Sequence, residues 1–268
     1  MLKSLNRQLP IFLSSLALLS LTFASSFNAQ AQTPATATPY PTKPIKLIAP
    51  VAAGGGLDNI ARTLAEKLSR LLGQQVVVEN IGGGGGSIAS QAVAKAPADG
   101  YTLMVAYVGT HGTNPAVRRL PYDAIKDFTP ISMIGATPNV LVINPDLPIK
   151  NFKEFVDYAK KNPAKLSYGS AGPGTLTHLG MEQIKLASGI FMVHIPYRGV
   201  GPAYTDLLAG QTQAMFPTLF AALPYINTNR VRGLAVTGAK RSPAAPNIPT
   251  FKELGLNGFD GQQWYGIV

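Results

Sequence analysis

Short apolar runs alternate with amphipathic stretches along this chain. Lys46–Pro50 reads as a strand. Three glycines follow at Gly54–Gly56, and from Asp58 to Leu72 the residues Ile60, Leu64, Leu68 and Leu71 recur on one helical face. Gly73 ends that helix at the position where a left-handed residue is wanted. Val76–Glu79 reads as a second strand, Gly82–Gly86 leads into a helix over Ser87–Lys95, and Thr102–Ala106 is a third strand before the loop 107–115. The second half repeats this grammar. Val140–Ile143 is a strand; Asn151 with Glu154 three residues on has capping-box spacing for a helix that runs to Asn162, before Pro163. Lys165–Ser170 is a strand, Ala171-Gly-Pro-Gly174 opens a helix over Thr175–Ser188, and Phe191–Ile195 is a strand. The loop Pro196–Pro202 starts a helix to Ala209, with further strands at Gln213–Phe216, Val231–Val236 and Gln263–Val268.

Strands that alternate with helices predict an α/β fold, with parallel sheets covered by helices. The pattern divides into two lobes, 43–138 (joined again by 261–268) and 139–260. In open α/β sheets ligands sit beyond the carboxyl ends of strands, and every glycine-rich loop above falls at such an end. A chain ending on a core strand is also expected to stop short of its natural C-terminus.

The beginning of the chain follows a different pattern. Lys3 and Arg7 precede an apolar segment, Ile11–Ser26, and Ala29-Gln30-Ala31 is a cleavage signature. Residues 1–31 therefore read as a secretory signal peptide, and 32–42, rich in Pro, Thr and Ala, as a linker. This predicts export to the periplasm. There is no cysteine, which removes disulfides and thiolate metal sites. The formal net charge is +10, but two of those charges belong to the leader and the rest are scattered, so the charge suits small anions better than nucleic acid.

Candidate chemistry is sparse. Gly54–Asp58 forms a turn of bare backbone at a helix start, where unpaired N–H groups and the helix dipole favour an anion. It lacks the lysine of a nucleotide P-loop. Asp58 is either a cap or a group that selects a ligand. The glycines at Gly82–Gly86 satisfy a dinucleotide pattern only trivially, and no acid follows at the required strand end, so no cofactor is expected. None of the three histidines has a metal-ligand spacing. His178 and His194 read as packing residues, and His111, in a loop after a strand, has the better claim to a ligand. Ser170 sits near a nucleophile-elbow pattern, but Tyr168 replaces the glycine that pattern needs. Backbone donors and hydroxyls such as Thr110, Ser170 and Thr175 remain, a set suited to holding an anion without changing it.

These residues carry a family resemblance. Pro50-x-x-x-Gly54-Gly55-x-x-Asp58 with Ala61-Arg62, Leu72-Gly73-Gln74, Val78-Glu79-Asn80 and Ala98-Asp99-Gly100-Tyr101-Thr102-Leu103 resemble elements of the Bug family, the extracytoplasmic receptors of tripartite tricarboxylate transporters. Further matches include Pro121-Tyr122-Asp123, Ser170-x-Gly172-x-Gly174 with His178, Pro196-Tyr197-Arg198-Gly199 and Pro249-Thr250-Phe251-x-Glu253. The resemblance spans essentially the whole chain after the leader. It implies a type II periplasmic-binding-protein fold, whose two lobes close on a small carboxylate without catalysis, and a two-component membrane permease as partner to a monomeric receptor. It places the ligand against Ala53, Gly54, Gly55 and Asp58 in the first lobe, and Ser170, Gly172, Gly174 and Thr175 in the second. Gly109, Thr110, His111, Pro196, Tyr197 and Arg198 would complete the cleft. The loop Gly82–Gly86 departs from the family by losing Pro and Ala, which predicts greater mobility there. A ligand sensor for a membrane kinase and a serine esterase using Ser170 are the alternatives.

Overall fold

The computed structural model describes residues 39–268; the predicted signal peptide, 1–31, and most of the predicted linker, 32–42, lie outside the described residues. The first sheet contains β1 (Ile45–Ala49), β2 (Val76–Asn80), β3 (Thr102–Tyr107), β4 (Ser132–Pro138) and β10 (Gln262–Ile267), in the order β2-β1-β3-β10-β4. The second contains β5 (Val140–Ile143), β6 (Ser167–Ser170), β7 (Val193–Pro196), β8 (Ala214–Met215) and β9 (Arg232–Val236), in the order β7-β6-β8-β5-β9. The helices are α1 (Gly56–Leu72), α2 (Ser87–Ala94), the short α3 (Asn114–Val117), α4 (Phe152–Lys161), α5 (Leu176–Ser188), α6 (Val200–Leu208) and α7 (Leu219–Asn227).

Each sheet is buried on both faces. In the first, Leu47, Ala49, Val105 and Tyr107 pack against Leu57, Ala61 and Ala65 of α1, while Ile48, Met104 and Ala106 face Ala89 of α2. In the second, Leu141, Ile143 and Tyr168 meet Phe155 of α4 and Met181 and Ile184 of α5, and Val140, Val142 and Met215 meet Ala203 and Leu207 of α6. Both sides of a strand must then be apolar, which is why these strands read as continuous apolar runs rather than alternating ones.

The sheets are mixed, which corrects the expectation of parallel ones. β10 runs antiparallel to both β3 and β4, and β5 runs antiparallel to both β8 and β9. The reason is connectivity. The chain leaves the first sheet through β4, builds the second, and comes back through 237–261 to insert β10 in the opposite direction. The first crossing, Pro138–Val140, is fixed by Asn139: its N–H donates to Thr237 Oγ1 (2.9 Å) and its Nδ2 to the Phe216 carbonyl (2.9 Å). The second crossing lies beside it, since the Thr237 N–H donates to the Asn139 carbonyl at 2.9 Å. Two adjacent strands of chain thus join the lobes.

Local signals behave as elementary stereochemistry requires. Asn151 caps α4 by accepting the Glu154 N–H at 2.9 Å, and Glu154 returns a bond to the Lys150 N–H at 2.7 Å. Gly73 closes α1 with φ 65°, a left-handed conformation that a Cβ would penalise. No helix among the described residues is long and apolar enough to cross a membrane.

Candidate functional site

Two glycine-rich turns, one after β1 and one after β6, bring their helix starts to one place. α1 begins at Gly56 after the N-cap Gly55, and α5 begins at Leu176 after the N-cap Thr175; neither has a side-chain cap. The first N–H groups of a helix have no acceptor within it, so two such clusters face one cavity. It measures about 40 Å³, several times the volume that holds one ordered water. Val51, Gly55, Gly56, Leu57 and Tyr107 line it from the first lobe, with Gln263 and Tyr265 of β10; Ala171, Thr175, Thr177, Val200 and Thr218 line it from the second. No charged side chain belongs to this wall, so the positive character at the cavity comes from backbone dipoles.

The second-lobe turn is held by its own hydroxyls. Thr175 Oγ1 donates to the Gly172 carbonyl (2.7 Å), and Thr177 Oγ1 accepts the Ala171 N–H (2.9 Å). Thr175 has then spent its proton, so the 2.8 Å contact between the two hydroxyls is donated by Thr177. The first-lobe turn is braced by Asp58, only 3% exposed. Its carboxylate accepts the Gly54 N–H (3.0 Å), Arg62 Nε (3.1 Å) and Asn80 Nδ2 (2.9 Å). Burial pushes the Asp58 carboxyl up, but these three donors outweigh burial and hold it below the usual carboxylate range.

The lobes meet backbone to backbone beside the cavity. The Ala52 N–H donates to the Arg198 carbonyl at 3.0 Å. A Cβ at Gly201 would lie 2.2 Å from the Ala53 carbonyl oxygen, and one at Gly82 would lie 2.7 Å from the Arg198 oxygen. Glycine is needed where two main chains approach this closely.

Of the residues selected from sequence, Gly55 and Thr175 line the cavity. Ala53, Gly54, Gly172 and Gly174 belong to the two turns but are not among the wall residues. Asp58 holds the Gly54 N–H in place, so that donor is engaged within the protein. Ser170 is completely buried: its Oγ accepts the Gly172 N–H (3.1 Å) and contacts His194 Nε2 at 2.6 Å. The Arg198 carbonyl closes on Ala52, and the Tyr197 hydroxyl donates to Asp206 at 2.5 Å; Pro196 ends β7. Gly109, Thr110 and His111 form a wide π-type turn behind the wall residue Tyr107, whose N–H and carbonyl Thr110 Oγ1 bonds at 3.2 and 3.1 Å; His111 Nδ1 meets Thr110 Oγ1 (2.8 Å) and its ring packs edge-on against Phe128. Sequence reasoning did not select Thr177, Val200, Thr218, Gln263 or Tyr265. Thr177 could have been reached by counting two residues past the N-cap Thr175, whereas Thr218 and Tyr265 come from distant segments that only the tertiary fold brings in.

The histidines have a measurable consequence. His178 and His194 stack at 4.3 Å, and Tyr168 stacks on His194 at 4.8 Å. Burial, aided by His178, pulls the His194 imidazole down to about 4, burial pulls His111 to about 4, and His178 moves in the same direction. These groups fold neutral, so the unfolded chain binds more protons below pH 6.5. Stability is expected to be complete above about pH 6.5 and to fall as the pH drops from there toward 4. Urea midpoints at pH 7.5, 6, 5 and 4 should follow this slope, and His194→Gln should flatten it.

The two-lobed α/β fold is that of solved periplasmic binding proteins. Within that class, residues 60–268 match the Tripartite tricarboxylate transporter family receptor, and the chain belongs to that family. Among solved structures, the periplasmic binding protein BugD is 38% identical with a TM-score of 0.82, the match covering 85% of this chain and 76% of that one. A structure from R. palustris with adipate is 37% identical with a TM-score of 0.82, covering 85% and 77%. MatC from Rhodopseudomonas palustris with bound malate is 31% identical with a TM-score of 0.81, covering 85% and 78%. The chain spans 68%, 66% and 73% of the lengths of three curated relatives that it matches.

Proposed function

We propose that this protein is an exported receptor that captures a small carboxylate and hands it to a two-component membrane permease. The observation that carries this reading is the pair of uncapped helix starts, at Gly55–Leu57 and Thr175–Thr177, that face one uncharged cavity. Backbone N–H groups and helix dipoles stabilise an anion without a formal cation. The wall around them combines the apolar Val51, Leu57 and Val200 with the uncharged polar side chains of Thr175, Thr177, Thr218 and Gln263, which can hydrogen-bond the rest of a ligand. Adipate and malate in two related structures support a carboxylate as ligand. The signal-peptide pattern at 1–31 supports export.

Capture without catalysis is the better reading of Ser170. It has no exposure, and His194 is flanked by the rings of Tyr168 and His178 rather than by a carboxylate that would orient it as a base. A melting-temperature screen of mono-, di- and tricarboxylates tests the proposal. A ligand at a hundred times its Kd stabilises by about 2.7 kcal/mol, which is a shift of several degrees. If no carboxylate in the panel moves the transition, the proposal fails.

A further inference from the structure

The glycine run at Gly82–Gly86 is absent from the cavity wall, yet it carries an unusual conformation. Gly83, Gly84, Gly85 and Gly86 have φ of 123°, 58°, 63° and 90° in succession. Side chains rarely adopt any of these, so the sequence here serves a backbone shape. The expectation of a loose loop meets a set of bonds that fasten it. Fully buried Asn114 donates Nδ2 to the Gly85 carbonyl (2.8 Å), and the Tyr107 hydroxyl donates to the same oxygen (2.9 Å). Arg118 donates to the Gly84 carbonyl and to Asn114 Oδ1 (2.7 Å).

The other side of this loop meets the second lobe. A Cβ at Gly85 would lie 2.7 Å from the Pro173 oxygen, and one at Gly174 would lie 2.3 Å from Asn114 Oδ1. Thr113 Oγ1 donates to the Gly174 carbonyl at 2.6 Å. Gly174 directly precedes Thr175, the N-cap whose following turn forms the second-lobe wall of the cavity. The fastened loop and the start of α3 therefore act on the binding turn of the opposite lobe without touching the cavity.

We propose that Thr113 and Asn114 are positioning residues of a clasp that sets how long a captured ligand stays. This rests on the receptor reading above. The clasp bonds exist only while the lobes are together, so they oppose opening and leave encounter unaffected. Losing one neutral hydrogen bond of about 1 kcal/mol speeds release about five- to tenfold.

The test uses the variants Thr113→Val, which keeps the shape and removes the donor, and Thr113→Ser, which keeps the donor. Tyr107 and Tyr265, which line the cavity, report binding of adipate or malate in stopped flow through their own emission. Hydrogen exchange of the segment 171–178 is followed without ligand. The expected result is faster release for Thr113→Val at an on-rate no slower than that of the wild type, faster exchange at 171–178, and wild-type behaviour for Thr113→Ser. Release at the wild-type rate from Thr113→Val overturns the clasp, as does equal slowing of association. If neither diacid binds the wild type, exchange alone decides: loosening only in the valine variant upholds the clasp while the receptor reading loses support, and unchanged exchange removes the clasp itself.

Discussion

Gly201→Ala is expected to abolish tight capture while the protein stays folded. Gly201 is the second residue of α6, and its φ lies outside the left-handed region. Alanine suits a helix better than glycine by about 0.5–1 kcal/mol, so the lobe that carries it loses nothing locally. Across the cleft the added Cβ would stand 2.2 Å from the Ala53 oxygen and 3.3 Å from the Ala53 and Gly54 carbonyl carbons. All three are main-chain atoms in the turn that leads to the start of α1, and main chain cannot rotate aside as a side chain does. The lobes must part, which also breaks the Ala52-to-Arg198 bond beside it. We expect affinity for any carboxylate that binds the wild type to fall by about a hundredfold or more, roughly 2.8 kcal/mol. Titration calorimetry measures that loss, and an unchanged melting temperature shows that closure, rather than folding, is affected.

The second large effect is expected at Asp58. Asp58→Ala removes an acceptor shared by the Gly54 N–H, Arg62 and Asn80 in a site 3% exposed. Unpaired donors at a buried site cost about 1–3 kcal/mol, and breaking a buried charged contact reaches the upper end. Arg62 is itself half-exposed and can return to water, so a loss of about 2–3 kcal/mol in urea unfolding is expected. Binding should weaken as well, because the turn that presents the α1 N–H groups is no longer fixed at Gly54. Because the folded-state carboxyl is depressed, the stability supplied by Asp58 is present above pH 3.8 and is lost as the pH falls below it. The alanine variant should therefore match the wild type more closely in strong acid than at pH 7.

Much of this architecture can be read from the sequence because both sheets are buried on two faces. Continuous apolar runs such as Val140–Ile143 and glycine turns before helices then mark elements directly. β4 escaped because Ser132–Pro138 is an edge strand, largely exposed, with Gly135 inside and a proline at its end. α7 escaped because Pro224 lies within it, where a proline ordinarily argues against a helix. The direction of β10 follows from a long return path that no local pattern records. At the site, the two helix-start turns were legible, since glycine beside a strand end is a local signal. Thr218 and Tyr265 were not, because the fold alone carries them to the cavity. Asp58 shows the limit of reading a side chain by type: an acid at a helix start can cap, select a ligand or brace a loop, and only its three donors distinguish these.

The central claim is that a carboxylate is held between the helix starts at Gly56 and Leu176 when the lobes close. Titration calorimetry of adipate and malate, each beside its uncharged diamide, into the wild type and Gly201→Ala tests it most directly. The account predicts one-to-one binding of at least one diacid to the wild type, no binding of the corresponding diamide, and a loss of about a hundredfold or more in the variant. Equal affinity for acid and amide, or tight binding that survives in Gly201→Ala, would contradict it.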